Sequence, residues 1–315
     1  MIQNPSEPAP PPEVGVSICV LASGSQGNCA VLVSRPEPGH PRRVVLLDAG
    51  LSPRRTGRLL LERGIRPDEV DDILFTHLDS DHCHSGWNRA IRPGGWRARL
   101  RIQQQHLGRA ERSGLLFSHT VPFEDSIKID PSLKVHVTTL AHDALGVAAF
   151  RIVAKSPFGE KHVGYATDLG RATQALTRLL RGVDLLAIES NYCPVMQAES
   201  GRPQSLQQRI TGGSGHLSNQ EAAQAVRDIA PREHLVLLHL SRQCNTPEQA
   251  LCEHQFGSTC PIIVSEQFSP TPWISVEGCA DEVRSSEAPW LPIQRPRRTR
   301  TPSLFESPNA GGTAW

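Results

Sequence analysis

Five times along this 315-residue chain a short apolar run ends on an ionisable side chain. Residues 73–75 lead into His77, residues 135–140 into His142 and Asp143, and residues 163–166 into Asp168. Residues 185–188 lead into Glu189, and residues 235–238 into His239. Such runs read as buried strands, and strands packed in sheets can bring their ends to one edge, where loops carry chemistry on a rigid support. One such end means little, because a core histidine satisfied by a backbone carbonyl accounts for it. Five ends ask for a layered fold with one chemically loaded edge. Helical signals fall between the runs. Ser52 caps a helix with Pro53 in its first turn, which runs to Arg63 and stops at Gly64. Residues 172–181 carry apolar positions at helical spacing, and Ser218 or Asn219 caps a helix through residues 220–226. Strands alternating with helices give α/β layering. No internal repeat is visible in the sequence.

The chain is long enough to bury a full core. Its 33 Lys+Arg against 32 Asp+Glu leave a net charge of +1, which argues neither for nor against a polyanionic partner. The eight cysteines form no CxxC pair, the usage expected of reduced thiols in a cytoplasmic protein. No apolar run approaches the roughly 20 residues of a membrane helix. The start of the chain lacks the basic-then-apolar pattern of a signal peptide. The expected organisation is a disordered lead-in at residues 1–13, a folded domain at residues 14–280, and a disordered Pro/Arg-rich tail at residues 281–315. A soluble, cytoplasmic protein without a membrane partner is expected.

The chemistry concentrates in Thr76-His77-Leu78-Asp79-Ser80-Asp81-His82, which places two imidazoles and two carboxylates within six residues. That donor set suits divalent ions. A solvated loop also collects Asp, Ser and His, so the later strand ends decide the reading. A two-metal hydrolytic site needs several ligands per ion, commonly a shared carboxylate, and an open position for water. His77, Asp79 and His142 could hold one ion, and Asp81, His82 and His239 the other, with Asp168 bridging. A metal-bound hydroxide would then be the nucleophile. Cys83 and His84 sit beside the cluster and read as supporting or surface residues. Arg89, Arg92, Arg97, Arg99, Arg101, Arg109 and Arg112 follow it and could contact phosphates, although no interleaved aromatics supply a stacking platform. Arg295, Arg297, Arg298 and Arg300 read as part of a solvated linker.

The metal loop resembles the THxHxDH signature of the metallo-β-lactamase superfamily, and His142, Asp168 and His239 fall where that superfamily supplies further ligands. Within it the chain resembles the WalJ/YycJ group, whose members are described as DNA exonucleases. The matching stretches begin with Ala22-Ser23-Gly24-Ser25-Gln26-Gly27-Asn28-Cys29, Asp48-Ala49-Gly50-Leu51-Ser52 and His142-Asp143-Ala144. They continue with Thr167-Asp168-Leu169-Gly170, Glu189-Ser190-Asn191, Gly215-His216-Leu217-Ser218-Asn219 and His239-Leu240-Ser241. The resemblance implies an αββα sandwich with two divalent metal ions (manganese, iron or zinc) at one edge of its sheets. It implies substrate contacts at Ser25, Asn28, Asn191, Ser218 and Asn219, and catalytic roles for Asp81, Glu189 and His216. The last two resemble the Glu/His pair of tRNA 3′-processing nucleases, where a carboxylate-held histidine can protonate a leaving alkoxide.

Two positions depart from the pattern. Asp79 stands where the family has its second histidine, as in the di-iron flavoprotein branch, and an oxygen-richer site favours manganese or iron over zinc. Tyr192-Cys193 replaces the group's usual His-Asp after Ser-Asn. The expected function is a metal-dependent phosphodiesterase, a nuclease with DNA as the favoured substrate. The alternatives are a metallo-hydrolase of a small ester or thioester, and a non-catalytic nucleic-acid-binding protein whose metal site decayed at Asp79.

Overall fold

A computed structural model of the chain describes residues 10–276 except 93, 116–117, 143 and 256–259. Most of the expected lead-in, the whole tail with Arg295, Arg297, Arg298 and Arg300, and Asp143 therefore lie outside the described residues. Pro11, inside the expected lead-in, is buried.

The strands are β1 (Gly15–Ala22), β2 (Cys29–Arg35), β3 (Arg43–Leu47), β4 (Asp72–Leu74), β5 (Arg99–Gln103), β6 (Thr120–Phe123) and β7 (Ser126–Asp130). They continue with β8 (Leu133–Leu140), β9 (Val147–Ser156), β10 (Gly159–Ala166), β11 (Leu185–Glu189), β12 (His234–Leu238), β13 (Ile262–Val264) and β14 (Ile274–Val276). The helices are α1 (Pro53–Leu61), α2 (Trp87–Ala90), α3 (Leu107–Arg112), α4 (Gln174–Leu180), α5 (Pro194–Ala198), α6 (Gln204–Thr211), α7 (Asn219–Ile229) and α8 (Pro247–Gln255).

These strands form two seven-stranded sheets, ordered β14-β1-β2-β3-β4-β5-β6 and β13-β12-β11-β10-β9-β8-β7. Three apolar clusters divide the packing into four layers. Alternate residues of β1 go to opposite faces: Ile18 and Val20 join the cluster between the sheets, while Cys19 and Leu21 join the cluster under α1 and α2. In β12, Val236 and Leu238 face the other sheet, and Leu235 and Leu237 pack with Leu176 and Leu180 of α4 and Val226 of α7. Strands buried on both faces must be apolar throughout, which is why they read as continuous runs rather than alternating ones. The result is the expected αββα sandwich.

Each sheet repeats one topology. Strands β1 to β3 pair antiparallel and β3 to β6 parallel; β8 to β10 pair antiparallel and β10 to β13 parallel. An antiparallel edge strand, β14 or β7, completes each sheet. The sequence does not show this repeat, because two-faced apolar strands constrain hydrophobicity and not identity.

The helix limits are set by their caps. Ser52 accepts from the Arg55 N–H as expected, but α1 ends at Leu61, ahead of Arg63, and Gly64 takes the left-handed conformation at φ 73°. Thr173 caps α4, so that helix starts at Gln174 and not at residue 172. Ser218 is the cap of α7, in a reciprocal box with Glu221. No helix among the described residues is long and apolar enough to cross a membrane.

Candidate metal centre

The ends of β4, β10, β11 and β12 converge with the metal loop. Asp168 is the hub. Its Oδ2 lies 2.7 Å from His82 Nε2 and 3.4 Å from His77 Nε2. Its Oδ1 pairs closely with His239 Nδ1 and lies 3.7 Å from His216 Nδ1. Asp81 Oδ2 completes this side, 3.7 Å from His82 Nε2 and 3.8 Å from His239 Nε2. On the other side His77 Nε2 is 3.7 Å from Asp79 Oδ2, and the His77 and His142 rings are 5.2 Å apart. His142 is oriented by the Gly215 carbonyl, 3.1 Å from its Nδ1.

The donor atoms fall into groups of the size a cation requires. His77, Asp79 and His142 form one, and Asp81, His82, Asp168 and His239 another, with donor atoms inside each group within 4.8 Å of one another. These are the two sets grouped from the sequence, and Asp168 also reaches His77 of the first. A third group, Asp168, Glu189, His216 and His239, overlaps the second. The fit to a cation rests on two orphaned atoms. His77 Nε2 and His239 Nε2 are buried without a hydrogen-bond partner, yet each faces a carboxylate of the cluster. A divalent ion bound by nitrogen and oxygen donors would satisfy both.

Charge is distributed unevenly. Burial, with His82 nearby, holds the His77 imidazole well below its ordinary pKa. Burial also opposes charge on His82 and His239, but Asp168 with Asp48 outweighs it at the first, and Asp168 with Glu189 at the second. His239 is thereby raised to about 10. In return His239 and His82 overcome the burial of Asp168 and hold its carboxyl well below the usual range. Asp168 is thus held anionic where two of the groups meet.

Two further residues complete the frame: Asp48, to which the sequence assigns no role, and Arg109, one of the arginines expected to contact phosphates. Asp48, fully buried after β3, accepts from the Thr76 N–H at 2.8 Å and faces His82 Nδ1 at 2.8 Å, fixing that ring. Its signal was present, since residues 44–47 are a sixth apolar run ending on a carboxylate. Arg109 of α3 places Nη2 2.6 Å from Asp79 Oδ1, leaving Oδ2 to face His77. No local pattern links positions 79 and 109.

The expected substrate contacts divide differently. Asn28 accepts from the Gly24 N–H and lies 2.9 Å from His82 Nε2; Asn191 donates to the His239 carbonyl at 2.7 Å. Ser218 caps α7, and Asn219 is bonded to Ser190 and Asn245. These four side chains are buried and hydrogen-bonded within the protein. Ser25 alone of the five is exposed. Tyr192 and Cys193 are buried, and their backbone is tied to Asn219 and Cys244. Burial pushes the Cys83 thiol up to about 12, which leaves it inert, and His84 accepts from the Gly86 N–H. Among the arginines, Arg99 and Arg101 are committed to Asp72 and Arg109 to Asp79. Arg89, Arg92, Arg97 and Arg112 are exposed.

Glu189 and His216 stand beside the hub, with Glu189 Oε1 2.7 Å from His216 Nδ1. Glu189 is fully buried and also accepts from the Leu169 N–H at 2.7 Å, so it holds a partly exposed imidazole from a fixed position. Burial disfavours its charge, but His216 and His239 keep the carboxyl below its ordinary pKa.

Comparison with known proteins bears on this edge. Exodeoxyribonuclease WalJ of Streptococcus pneumoniae is 28% identical over 251 residues, covering 76% of this chain and 86% of that protein. Exodeoxyribonuclease YycJ of Bacillus anthracis is 27% identical over 242 residues, covering 75% and 87%. Among solved structures, the metallo-beta-lactamase fold protein YhfI from Bacillus subtilis has a TM-score of 0.61 at 16% identity, covering 81% of this chain and 99% of that one. The short form of human tRNase Z has a TM-score of 0.56 at 18% identity, covering 83% and 99%. A family model described as Beta-lactamase superfamily domain matches residues 43–240. A match over that share of the sequence, in a chain folded this way, makes the protein a member of the beta-lactamase superfamily with the metallo-β-lactamase fold.

Proposed function

We propose that this chain is a metal-dependent phosphodiesterase acting on nucleic acid, with DNA as its substrate and cleavage from an end. The observation that carries the reading is the Glu189–His216 pair at 2.7 Å, placed against Asp168. An ester or thioester hydrolase needs the cations but has less use for a carboxylate-oriented acid, whereas phosphodiester cleavage must protonate a leaving alkoxide. The similarity to two proteins named exodeoxyribonuclease supports the choice of DNA.

Asp168 would be the shared ligand, with His77, Asp79 and His142 on one side and Asp81, His82 and His239 on the other. Bound divalent cations would neutralise phosphodiester charge and activate water for attack. The carboxylate at Asp79 gives the first set one imidazole fewer than the family pattern, and this oxygen-richer set favours manganese or iron over zinc. Asp48 and Asn28 orient His82, and the Gly215 carbonyl orients His142. Glu189 fixes His216 through Nδ1, so that Nε2 is the atom left to hand a proton to the departing oxygen. A cytoplasmic location fits the free cysteines: Cys19, Cys29, Cys83, Cys193, Cys244, Cys252 and Cys260 form no disulfide.

The test is cleavage of end-labelled single- and double-stranded DNA with manganese, comparing wild type with Asp168→Ala, and metal content measured on both. Loss of cleavage together with loss of metal is expected. A wild type that binds metal and leaves DNA intact refutes the DNA reading, and the same assay on RNA then decides whether nucleic acid is the substrate at all.

A further inference from the structure

Phe268 is a large apolar side chain left 53% exposed, and it is not isolated. The guanidinium carbon of Arg242 lies 5.1 Å from its ring centroid and that of Arg55 lies 5.6 Å away. The ring borders a cavity of about 200 Å³ that is also lined by Ser23, Ser241, Asn245 and Gln267. Glu266 supplies the one carboxylate of that lining, against the two guanidinium groups at the ring.

This surface is bolted to the metal centre. The His239 N–H donates to Ser23 Oγ at 2.8 Å, and the Ser23 N–H donates to the Glu266 carbonyl at 3.0 Å. Gln267 accepts from the Gln26 N–H at 2.8 Å and donates to the Gly27 carbonyl at 3.0 Å. Arg55 donates to the Gln267 carbonyl at 3.4 Å. Gly24 in this loop sits at φ 141°, a backbone conformation that favours glycine. Arg242 lies three residues beyond His239. The segments that carry the ring and line the cavity are therefore tied to the segment that carries His239.

An exposed ring with guanidinium groups over it presents flat stacking surfaces and cations together, which matches a ligand that alternates flat bases with phosphates. Bases stack on aromatic rings and guanidinium planes, and phosphates pair with arginine. We propose that Phe268, Arg55 and Arg242 form a nucleotide subsite, in which one base of the substrate strand stacks and its phosphate is held beside the metal centre. This rests on the nuclease reading and deepens it, because it assigns recognition to a face that takes single-stranded nucleic acid without reading its sequence.

The test compares kcat/KM on a labelled single-stranded oligonucleotide with kcat/KM on bis(p-nitrophenyl) phosphate, a diester too small to span both places. For Phe268→Ala the preference for the oligonucleotide should fall about tenfold, within the range of a lost base–aromatic stack, and Phe268→Trp should restore it. Arg242→Ala should weaken oligonucleotide binding and lower its salt dependence by about one phosphate contact. If wild type cleaves oligonucleotides and Phe268→Ala keeps the wild-type preference, the subsite is refuted while the nuclease reading stands. Equal loss on both substrates also refutes it, since the ring would then be supporting the fold. A wild type that hydrolyses the small diester but no DNA or RNA overturns the nuclease reading and the subsite together.

Discussion

Asp48 offers the cleanest separation of frame from function. Its Oδ1 accepts from Thr76 N–H at 2.8 Å and Thr76 Oγ1 at 2.9 Å, and its Oδ2 faces His82 Nδ1 at 2.8 Å. Asp48→Asn keeps the shape, and asparagine tolerates the left-handed backbone at φ 59°. It replaces one acceptor oxygen with an NH₂ group, so Thr76 and His82 can no longer both be satisfied. If the amide oxygen stays with Thr76, the NH₂ meets His82 Nδ1–H, and a buried donor without an acceptor costs about 1–3 kcal/mol. If His82 changes tautomer to avoid this, its proton moves to Nε2, the atom that faces Asp168 and Asp81. A protonated Nε2 cannot ligate a cation. Both escapes weaken metal binding, and losing such a supporting partner typically lowers affinity about 10–100-fold. Manganese titration calorimetry and urea unfolding of the metal-free protein read the two quantities separately. A variant with wild-type unfolding midpoint and affinity within about threefold refutes the account of how His82 is held. Asp48→Ala is the weaker experiment, because alanine at positive φ adds about 1–2 kcal/mol of backbone strain unrelated to the imidazole.

Two further outcomes follow from partners already described. Arg109 and Asp79 are each about 30% exposed, at 31% and 30%, so their ion pair is solvent-screened and its loss should change stability by less than about 1 kcal/mol. Removing that cation from a cluster that collects cations should instead tighten manganese binding in Arg109→Ala by up to about fivefold; weaker binding would mean that Arg109 holds Asp79 in place and does not compete with the ion. His254 is buried beside Ser190 Oγ, and burial lowers it from 6.5 to about 4. The unfolded chain then binds more protons than the folded one between those values, so stability is full above pH 6.5 and is lost as pH falls toward about 4. His254→Gln should flatten that part of the urea-midpoint profile, and an unchanged slope would place the titrating group elsewhere.

Much of the site was readable because its ligands sit where apolar strands stop. A strand buried on both faces must be apolar to its end, so the first ionisable residue beyond it marks both the edge of the sheet and the site. Asp48 also ends an apolar run, but only the packing gives it a role, behind His82. Asn28, Asn191, Ser218 and Asn219 could not be sorted either, since the sequence does not say whether a polar side chain turns inward to a backbone group or outward to a ligand. Asp79 with Arg109, and Phe268 with Arg55 and Arg242, were illegible for a different reason. Each unites residues from separate elements, and proximity of that kind is a property of the fold.

The repeated topology explains why the site has the corners it does. Strands β3 and β10 occupy equivalent places in the two sheets, and each is followed by an Asp-x-Gly corner, Asp48-Ala49-Gly50 and Asp168-Leu169-Gly170. Both aspartates adopt positive φ, 59° and 53°, a conformation that a short polar side chain tolerates and a β-branched one does not. Both glycines are enforced by close backbone, since a Cβ would lie 1.7 Å from the Asp81 carbonyl oxygen at Gly50 and 2.6 Å from the Gly213 carbonyl oxygen at Gly170. The same corner therefore does two jobs. At β10 it delivers a carboxylate among His77, His82, His216 and His239, where it is shared. At β3 it delivers one behind His82, where it fixes the ring that Asp168 faces. One aspartate thus orients a histidine that the other meets from the opposite side, and His82 is the residue through which the two halves of the sandwich make a single centre.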